Sequence, residues 1–374
     1  MAERRLDEID PNLKVDTDIG EEDVYFYNVL EDPFEIYGLY RAREDRNFKR
    51  LPEEIANNTN EGVVKLNWNT AGGRIRFSTN SRYVAIKIIG TSKSIYPHFA
   101  PSGQVGADLF IDDPKTESSY FCYPFLPKME ELGSISGKVA FDDRRTRYFT
   151  LNLPNYSQMD ALYIGLQKDA TIDRGMPYRD ELPIVYYGSS ITQGGCASRP
   201  GNAYTHVVGR RLNMNFINLG FSGSGKGEDA IVDYMAKLPM SIFVSDYDHN
   251  APTAEHLKAT HLKLYQKIRA EHPDIPYIML SKPDLNGKSQ YLAHKHGLDR
   301  RNVIYETYLY ALEHGDRNVY YIDGESLFRG PYEDMCTVDR CHPNDLGFAL
   351  MADAVTATIK RIFTQNKYFI KEAD

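Results

Sequence analysis

The sequence predicts an α/β protein in two parts: a β-sandwich, then a parallel sheet covered by helices on both faces. Three observations predict this. Up to about residue 175, short β-rich runs alternate with turn signals. From residue 184, apolar runs of strand length alternate with helix-period segments, the pattern of a parallel sheet. Between them "RGMPYRDELP", 174–183, carries four charges and two prolines and reads as a linker. The division predicts domains of 1–175 and 176–374, and 374 residues are enough for two cores.

In the first half "GRIRFSTNSRYVAIKIIG" gives strands at 74–78 and 83–89 joined by a Thr-Asn-Ser turn. "GADLFIDD", "SSYFCYPF", "GKVAFDD" and "RYFTLNLP" follow at the spacing of a sandwich. The many tyrosines and the lone Trp68 are expected to pack across strands rather than to form a sugar-binding surface. In the second half strands are expected at 184–187, 215–219, 241–246, 276–280 and 319–322. Helices are expected near 202–212, 228–238, 254–271, 290–314 and 344–363.

A net charge of −8 argues against nucleic acid or an anionic membrane surface, because affinity for either comes from clustered Lys and Arg. "MAERRLDEID" has no apolar core after its basic residues, and no segment reaches membrane-spanning length, so a cytoplasmic protein is expected. Cys122, Cys196, Cys336 and Cys341 are too few and too scattered for a disulfide framework. His294-x-His296 lies in a polar helical segment without a third ligand and reads as a solvated face. No metal and no cofactor are expected, and oligomeric state is not readable.

In an open parallel sheet, ligands bind beyond the carboxyl ends of the strands. The first of these strands ends in Gly188-Ser189-Ser190-Ile191-Thr192, and the second in Asn218-Leu219-Gly220-Phe221-Ser222-Gly223. The third runs into Tyr247-Asp248-His249-Asn250. Near the C-terminus "VDRCHPND" places Asp339 and His342 three residues apart, before a helix with apolar Leu346, Leu350, Val355, Ile359 and Phe363. At that spacing an aspartate can accept the Nδ1 proton of the histidine and leave Nε2 to face a serine, the arrangement acyl transfer requires. Candidate oxyanion donors are the N–H of Ser190, the N–H of Gly223 and the amide of Asn250.

These blocks, GSSIT, N-L-G-F-S-G, an apolar strand leading to Asn250 and D-x-x-H-P-N, resemble the ordered blocks of the SGNH (GDSL-like) hydrolases over about 183–363. The resemblance implies a flavodoxin-like α/β/α sandwich and a serine ester hydrolase. It implies Ser190, rather than Ser189, as nucleophile, Gly223 and Asn250 in the oxyanion hole, and Asp339 and His342 as the remaining catalytic pair. Two blocks depart from the family pattern. The first reads GSS instead of GDS, and the third reads "DYDHNAP" instead of GxND, which brings Asp248 and His249 into the same pocket as candidate substrate contacts. "GADLFIDD" resembles the GxDLY signature of jelly-roll-like β-sandwich domains upstream of such hydrolases, with Asp108 as its acidic residue. Because several two-domain members act on acylated carbohydrates, the resemblance implies removal of small acyl groups, acetyl first, from an acylated oligosaccharide or other small ester. The β-domain is then expected to wall one side of the pocket.

Three other readings compete. The same site could act on a non-carbohydrate ester. Gly220-x-x-x-x-Gly225-Lys226 follows most of a phosphate-binding loop, but position 227 is glycine where that loop needs Ser or Thr. A carbohydrate-binding protein on a decayed hydrolase scaffold is the third, and the set Ser190, Asp339 and His342 argues against it.

Overall fold

A computed structural model describes residues 19–179, 182–283 and 295–366. His294 and the side chain of His296 fall outside the described residues. The first ten strands are β1 (Val24–Asn28), β2 (Glu35–Tyr37), β3 (Arg74–Thr79), β4 (Tyr83–Ile89), β5 (Ala107–Asp113), β6 (Ser118–Phe125), β7 (Ser134–Ala140), β8 (Arg147–Asn152), β9 (Ala161–Gln167) and β10 (Ile172–Asp173). They form two antiparallel sheets, one in the order β1-β9-β4-β7 and the other β10-β3-β8-β5-β6, with β2 pairing β3. Alternate residues face the partner sheet, as the two-residue period of a strand requires. Ile75 and Phe77 of β3 and Phe149 and Leu151 of β8 meet Val84, Ile86 and Ile88 of β4 and Ile164 of β9 in one core. Although β3 and β4 are consecutive, they lie in opposite sheets, so the Thr-Asn-Ser connection crosses the sandwich edge.

Two helices longer than a single turn interrupt the first half, α1 (Glu53–Thr59) and α2 (Glu61–Leu66), where no helix was expected. Their stretch, "EEIANNTNEGVVKL", holds three Asn, a Thr, a Gly and two Val, which weaken the local helical signal. Asn60 opens α2 by accepting the Val63 N–H at 2.9 Å. Trp68, expected between strands, is 40% exposed with Lys49 Nζ 4.2 Å from its ring centre.

The second half contains a parallel sheet of β11 (Ile184–Gly188), β12 (Phe216–Gly220), β13 (Ile242–Asp246), β14 (Tyr277–Leu280) and β15 (Val319–Ile322). Their order is β12-β11-β13-β14-β15, the flavodoxin-like arrangement, which reverses direction at β11. The helices that surround it are α3 (Ser190–Gln193), α4 (Tyr204–Leu212), α5 (Asp229–Ala236), α6 (Ala254–Glu271), α7 (Lys295–Glu313) and α8 (Asp345–Asn366), with a further single turn at Gly324–Leu327. On one face Val185 and Tyr187 of β11 join Ile231, Val232 and Met235 of α5, Leu257 and Leu264 of α6 and Ile304 of α7. On the other, Ile184 and Tyr186 join Val208 of α4 and Phe348, Met351 and Val355 of α8. Leu51, Ala56 of α1 and Val63 of α2 belong to the first of these clusters, so part of the N-terminal half completes the α/β core.

Candidate active site

Every residue of β11 is buried, and the strand runs directly into the single turn of α3. Ser189 caps that turn: its Oγ accepts the Ile191 N–H at 3.0 Å, and its own N–H donates to Thr192 Oγ1 at 3.2 Å. Gly194 ends the turn at φ 101°, and a Cβ there would lie 2.6 Å from Asn155 Nδ2. The double serine thus divides two tasks, with Ser189 folded into the cap and Ser190 at the first helical position, where the backbone N–H needs no intrahelical acceptor. The Ser190 and Gly223 N–H groups find no acceptor among the described residues.

His342 arrives from the loop before α8. Its Nε2 lies 2.9 Å from Ser190 Oγ, and its Nδ1 lies 2.7 Å from Asp339 Oδ2. Oδ1 of the same carboxylate accepts the Cys341 N–H at 3.0 Å and the His342 N–H at 2.7 Å. Burial would raise the Asp339 carboxyl, but these N–H groups and the His342 ring outweigh it and hold it below its usual range. Asn344, the last residue of H-P-N, caps α8 by accepting from the Leu346 and Gly347 N–H groups. Asp345 accepts from Ser198 N–H at 2.9 Å and Asn202 Nδ2 at 2.8 Å, tying the start of α8 to the segment that follows the serine.

The second block lies beside the serine turn through close backbone approach. A Cβ on Gly225 would lie 2.3 Å from Gly188 O, and Gly223 holds φ 63°. This contact accounts for a glycine in the stretch that mimics a phosphate loop. Asn250 Nδ2 donates to Phe221 O at 2.9 Å, which joins the third block to the second and leaves one amide N–H uncommitted. His249 Nδ1 lies 3.0 Å from Asp248 Oδ1, and Asp248 Oδ2 accepts the Lys282 N–H at 3.0 Å. Asp248 is 1% exposed, so it stands behind His249 rather than at the pocket surface. Burial would raise the Asp248 carboxyl, but its bond from His249 outweighs this and holds it low, while burial lowers His249. His249 Nε2 is buried without a partner among the described residues.

The sandwich contributes to this site through the loop between β4 and β5. The rings of His98 and Phe99 stand 5.7 Å and 6.1 Å from that of His342, and His98 Nε2 is 3.8 Å from Asp339 Oδ2. Tyr156 OH donates to Ser190 O at 3.0 Å. Asp108 is fully buried at the joint, where it accepts from Asn152 Nδ2 at 2.8 Å and Gly201 N–H at 3.1 Å and pairs with Arg199 at 3.3 Å.

Arg50, which no motif marked, is 2% exposed. Its Nη1 donates to Asn218 O at 3.2 Å and Gly220 O at 2.6 Å, and its Nη2 donates to Leu66 O at 2.6 Å. Burial pulls this guanidinium down to about 9, still cationic at neutral pH. Asp345 could have been suspected from its place beside H-P-N, whereas Arg50 leaves no signal in sequence because its partners are backbone carbonyls, two of them about 170 residues away.

Two groups bring metal-ligand atoms within 4.8 Å of one another: His98, Cys196 and His342, and Asp246, Asp248 and His249. In the first, an ion on His342 would have to displace its hydrogen bond to Ser190 or to Asp339; in the second, His249 Nε2 and Asp246 Oδ1 have no partner among the described residues. The arrangement can move a proton from a hydroxyl to an imidazole held in one orientation, beside two uncommitted backbone donors.

The GDSL-like Lipase/Acylhydrolase family matches residues 181–360, and the N-terminus of the SGNH-hydrolase type of esterase matches residues 24–172. No curated protein matches the chain. Among solved structures, a protein of Bacteroides ovatus ATCC 8483 assigned as a GDSL-like lipase is 27% identical, with a TM-score of 0.81 over 91% of this chain and 98% of that one. A salicylyl-acyltransferase from a tetracycline biosynthetic pathway is 18% identical, TM-score 0.72, over 91% and 98%. A family two carbohydrate esterase of Clostridium thermocellum in complex with cellohexaose is 15% identical, TM-score 0.56, over 79% and 93%; these last two share the fold. The chain belongs to the SGNH-type esterases, a GDSL-like lipase/acylhydrolase domain carried behind the N-terminal domain of that family.

Proposed function

We propose that the protein is a serine esterase that removes small acyl groups, acetyl first, from a carbohydrate. The observation that carries this reading is the chain Ser190 Oγ, His342 Nε2, His342 Nδ1 and Asp339 Oδ2, linked at 2.9 Å and 2.7 Å. Ser190 Oγ attacks the acyl carbonyl carbon as its proton passes to His342 Nε2, and the N–H groups of Ser190 and Gly223 with the Asn250 amide hold the oxyanion. The proton then goes from Nε2 to the departing sugar hydroxyl as the C–O bond breaks. Water, activated by the same nitrogen, hydrolyses the acyl-enzyme.

His249 supports the carbohydrate side of the reading. Asp248 holds the ring through Nδ1 and leaves Nε2, which the surrounding residues cover, as the acceptor this reading assigns to a sugar hydroxyl next to the ester. The fold shared with a carbohydrate esterase found in complex with cellohexaose supports it further. In this reading residues 1–175 are a β-domain that walls the site through His98 and Phe99, and residues 176–374 are the catalytic domain.

Mass spectrometry of acetylated mannan, xylan and pectin oligosaccharides incubated with the protein tests the substrate class, expecting loss of acetyl from at least one. An organophosphonate tests the chemistry separately, expecting label on Ser190. Label without deacetylation of any glycan overturns the carbohydrate reading and leaves the esterase, while the absence of both overturns the esterase.

A further inference from the structure

Where the sandwich meets the α/β half, away from the serine, lies a narrow cavity of about 30 Å³. Arg74, Arg76 and Asn152 line it from the sandwich, and His206, Arg210 and Phe216 from the other side. Its polar groups are deeply buried, with Arg74 at 2% exposure, Arg76 at 1% and His206 at 2%. Arg76 gives one nitrogen to Asp112 at 3.3 Å, but its Nε and Nη1 have no partner among the described residues, and neither has either ring nitrogen of His206. Four nitrogens on two buried side chains at one cavity thus lack a partner in the protein, and buried polar groups are as a rule paired with protein, water or an ion.

Charge points the same way. Arg74 donates only to neutral groups, the Tyr178 and Asn215 side chains and the carbonyls of Gly72 and Phe216. Arg210 donates to Gly201 O at 2.9 Å. The carboxylates at this joint are Asp112, beside Arg76, and Asp108, which pairs with Arg199 at 3.3 Å. Three guanidiniums, those of Arg74, Arg76 and Arg210, thus line the cavity with Asp112 as the neighbouring carboxylate; burial pulls Arg210 down to about 10 and lowers Arg74, while at Arg76 burial is outweighed by Tyr178 and Asp112, which hold it up. Uncompensated buried cations are costly, and a monovalent anion at their centre offsets that cost. Roughly two waters fill a space of this size, which also fits a single chloride.

We propose that this cavity is a binding site for one small monovalent inorganic anion, typified by chloride, which accepts from Arg76 and His206 and joins the sandwich to the α/β half. The full-length protein tests it with chloride as the probe. Melting temperature is measured in sodium chloride and in sodium gluconate, whose anion is too large to enter, at matched ionic strength. The expected result is a rise of about 2 °C per tenfold chloride above its dissociation constant and no such rise in gluconate. Arg76→Gln is expected to abolish the chloride-specific rise. Because that variant can also fold poorly, crystals of the unmodified protein grown in bromide provide a second measurement, with an anomalous peak expected between Arg76 and His206. Identical melting in the two salts together with no bromide peak overturns the proposal and assigns water to the cavity.

Discussion

Ser190, Asp339 and His342 were named from blocks about 150 residues apart, and His342 lies within hydrogen-bonding distance of both of the others. At this scale the predictions concern rates. Ser190→Ala and His342→Ala are each expected to lower kcat by about a million-fold with fold retained, and Asn250→Ala by about a hundred- to a thousand-fold, read from ester hydrolysis. An Asn250→Ala enzyme with unchanged kcat would confine that amide to its bond with Phe221 O. Block spacing could supply these names because each residue lies in a short motif with its own local geometry. The cap at Ser189 and the turn around Asp339 follow from neighbours within three residues. Arg50 could not be read this way, since a buried cation serving distant carbonyls has no local pattern.

Between the residues and the fold stand two elements whose placement the site depends on. The loop after β12 approaches the end of β11 so closely that a methyl group on Gly225 would meet Gly188 O at 2.3 Å. Gly225→Ala must push that loop away, and a displacement of about 1 Å at a catalytic group costs about a hundred-fold; kcat should fall by that order while far-ultraviolet circular dichroism stays native. Arg50 holds the end of β12 from which that loop leaves, through Asn218 O and Gly220 O. Arg50→Met removes charge-assisted bonds and leaves buried carbonyls unmatched, and should lower stability by about 3 kcal/mol in urea unfolding. The helices over 53–66 that carry this arrangement were missed because packing against α5, not propensity, makes them helical.

For the whole molecule, the two halves are stabilised together. Leu51, Ala56 and Val63 complete the α/β core, so a fragment of residues 176–374 exposes that face and is expected to be insoluble or unfolded. A soluble, cooperatively melting fragment would overturn this. Acid should also weaken the fold before the carboxylates titrate. His261, 1% exposed with Nδ1 2.9 Å from Thr307 Oγ1, is lowered by burial to about 4. Because the unfolded chain takes up that proton near pH 6.5, the stability this neutral ring contributes is full above about pH 6.5 and falls as pH drops towards about 4, by about 3 kcal/mol at most. Unfolding of the intact protein between pH 7.5 and 4.5 should show this slope, and His261→Gln should make it shallower, with the remainder carried by His206 and His249, which burial also lowers.

The sequence by itself determined the fold class, the five parallel strands to within a residue or two at each end, and the identities of the residues at the strand ends, because periodicity and motif spacing are local properties of the chain. Only the tertiary structure decided that Asp248 stands behind His249, that Asp345 and Arg50 brace the serine and its neighbouring loop, and that arginines of both halves surround a shared cavity. The last two depend on which groups meet across more than a hundred residues, and the first on how deeply the fold buries Asp248. Such meetings are set by burial and by the need to satisfy buried polar atoms in three dimensions, neither of which has a period that can be read along one.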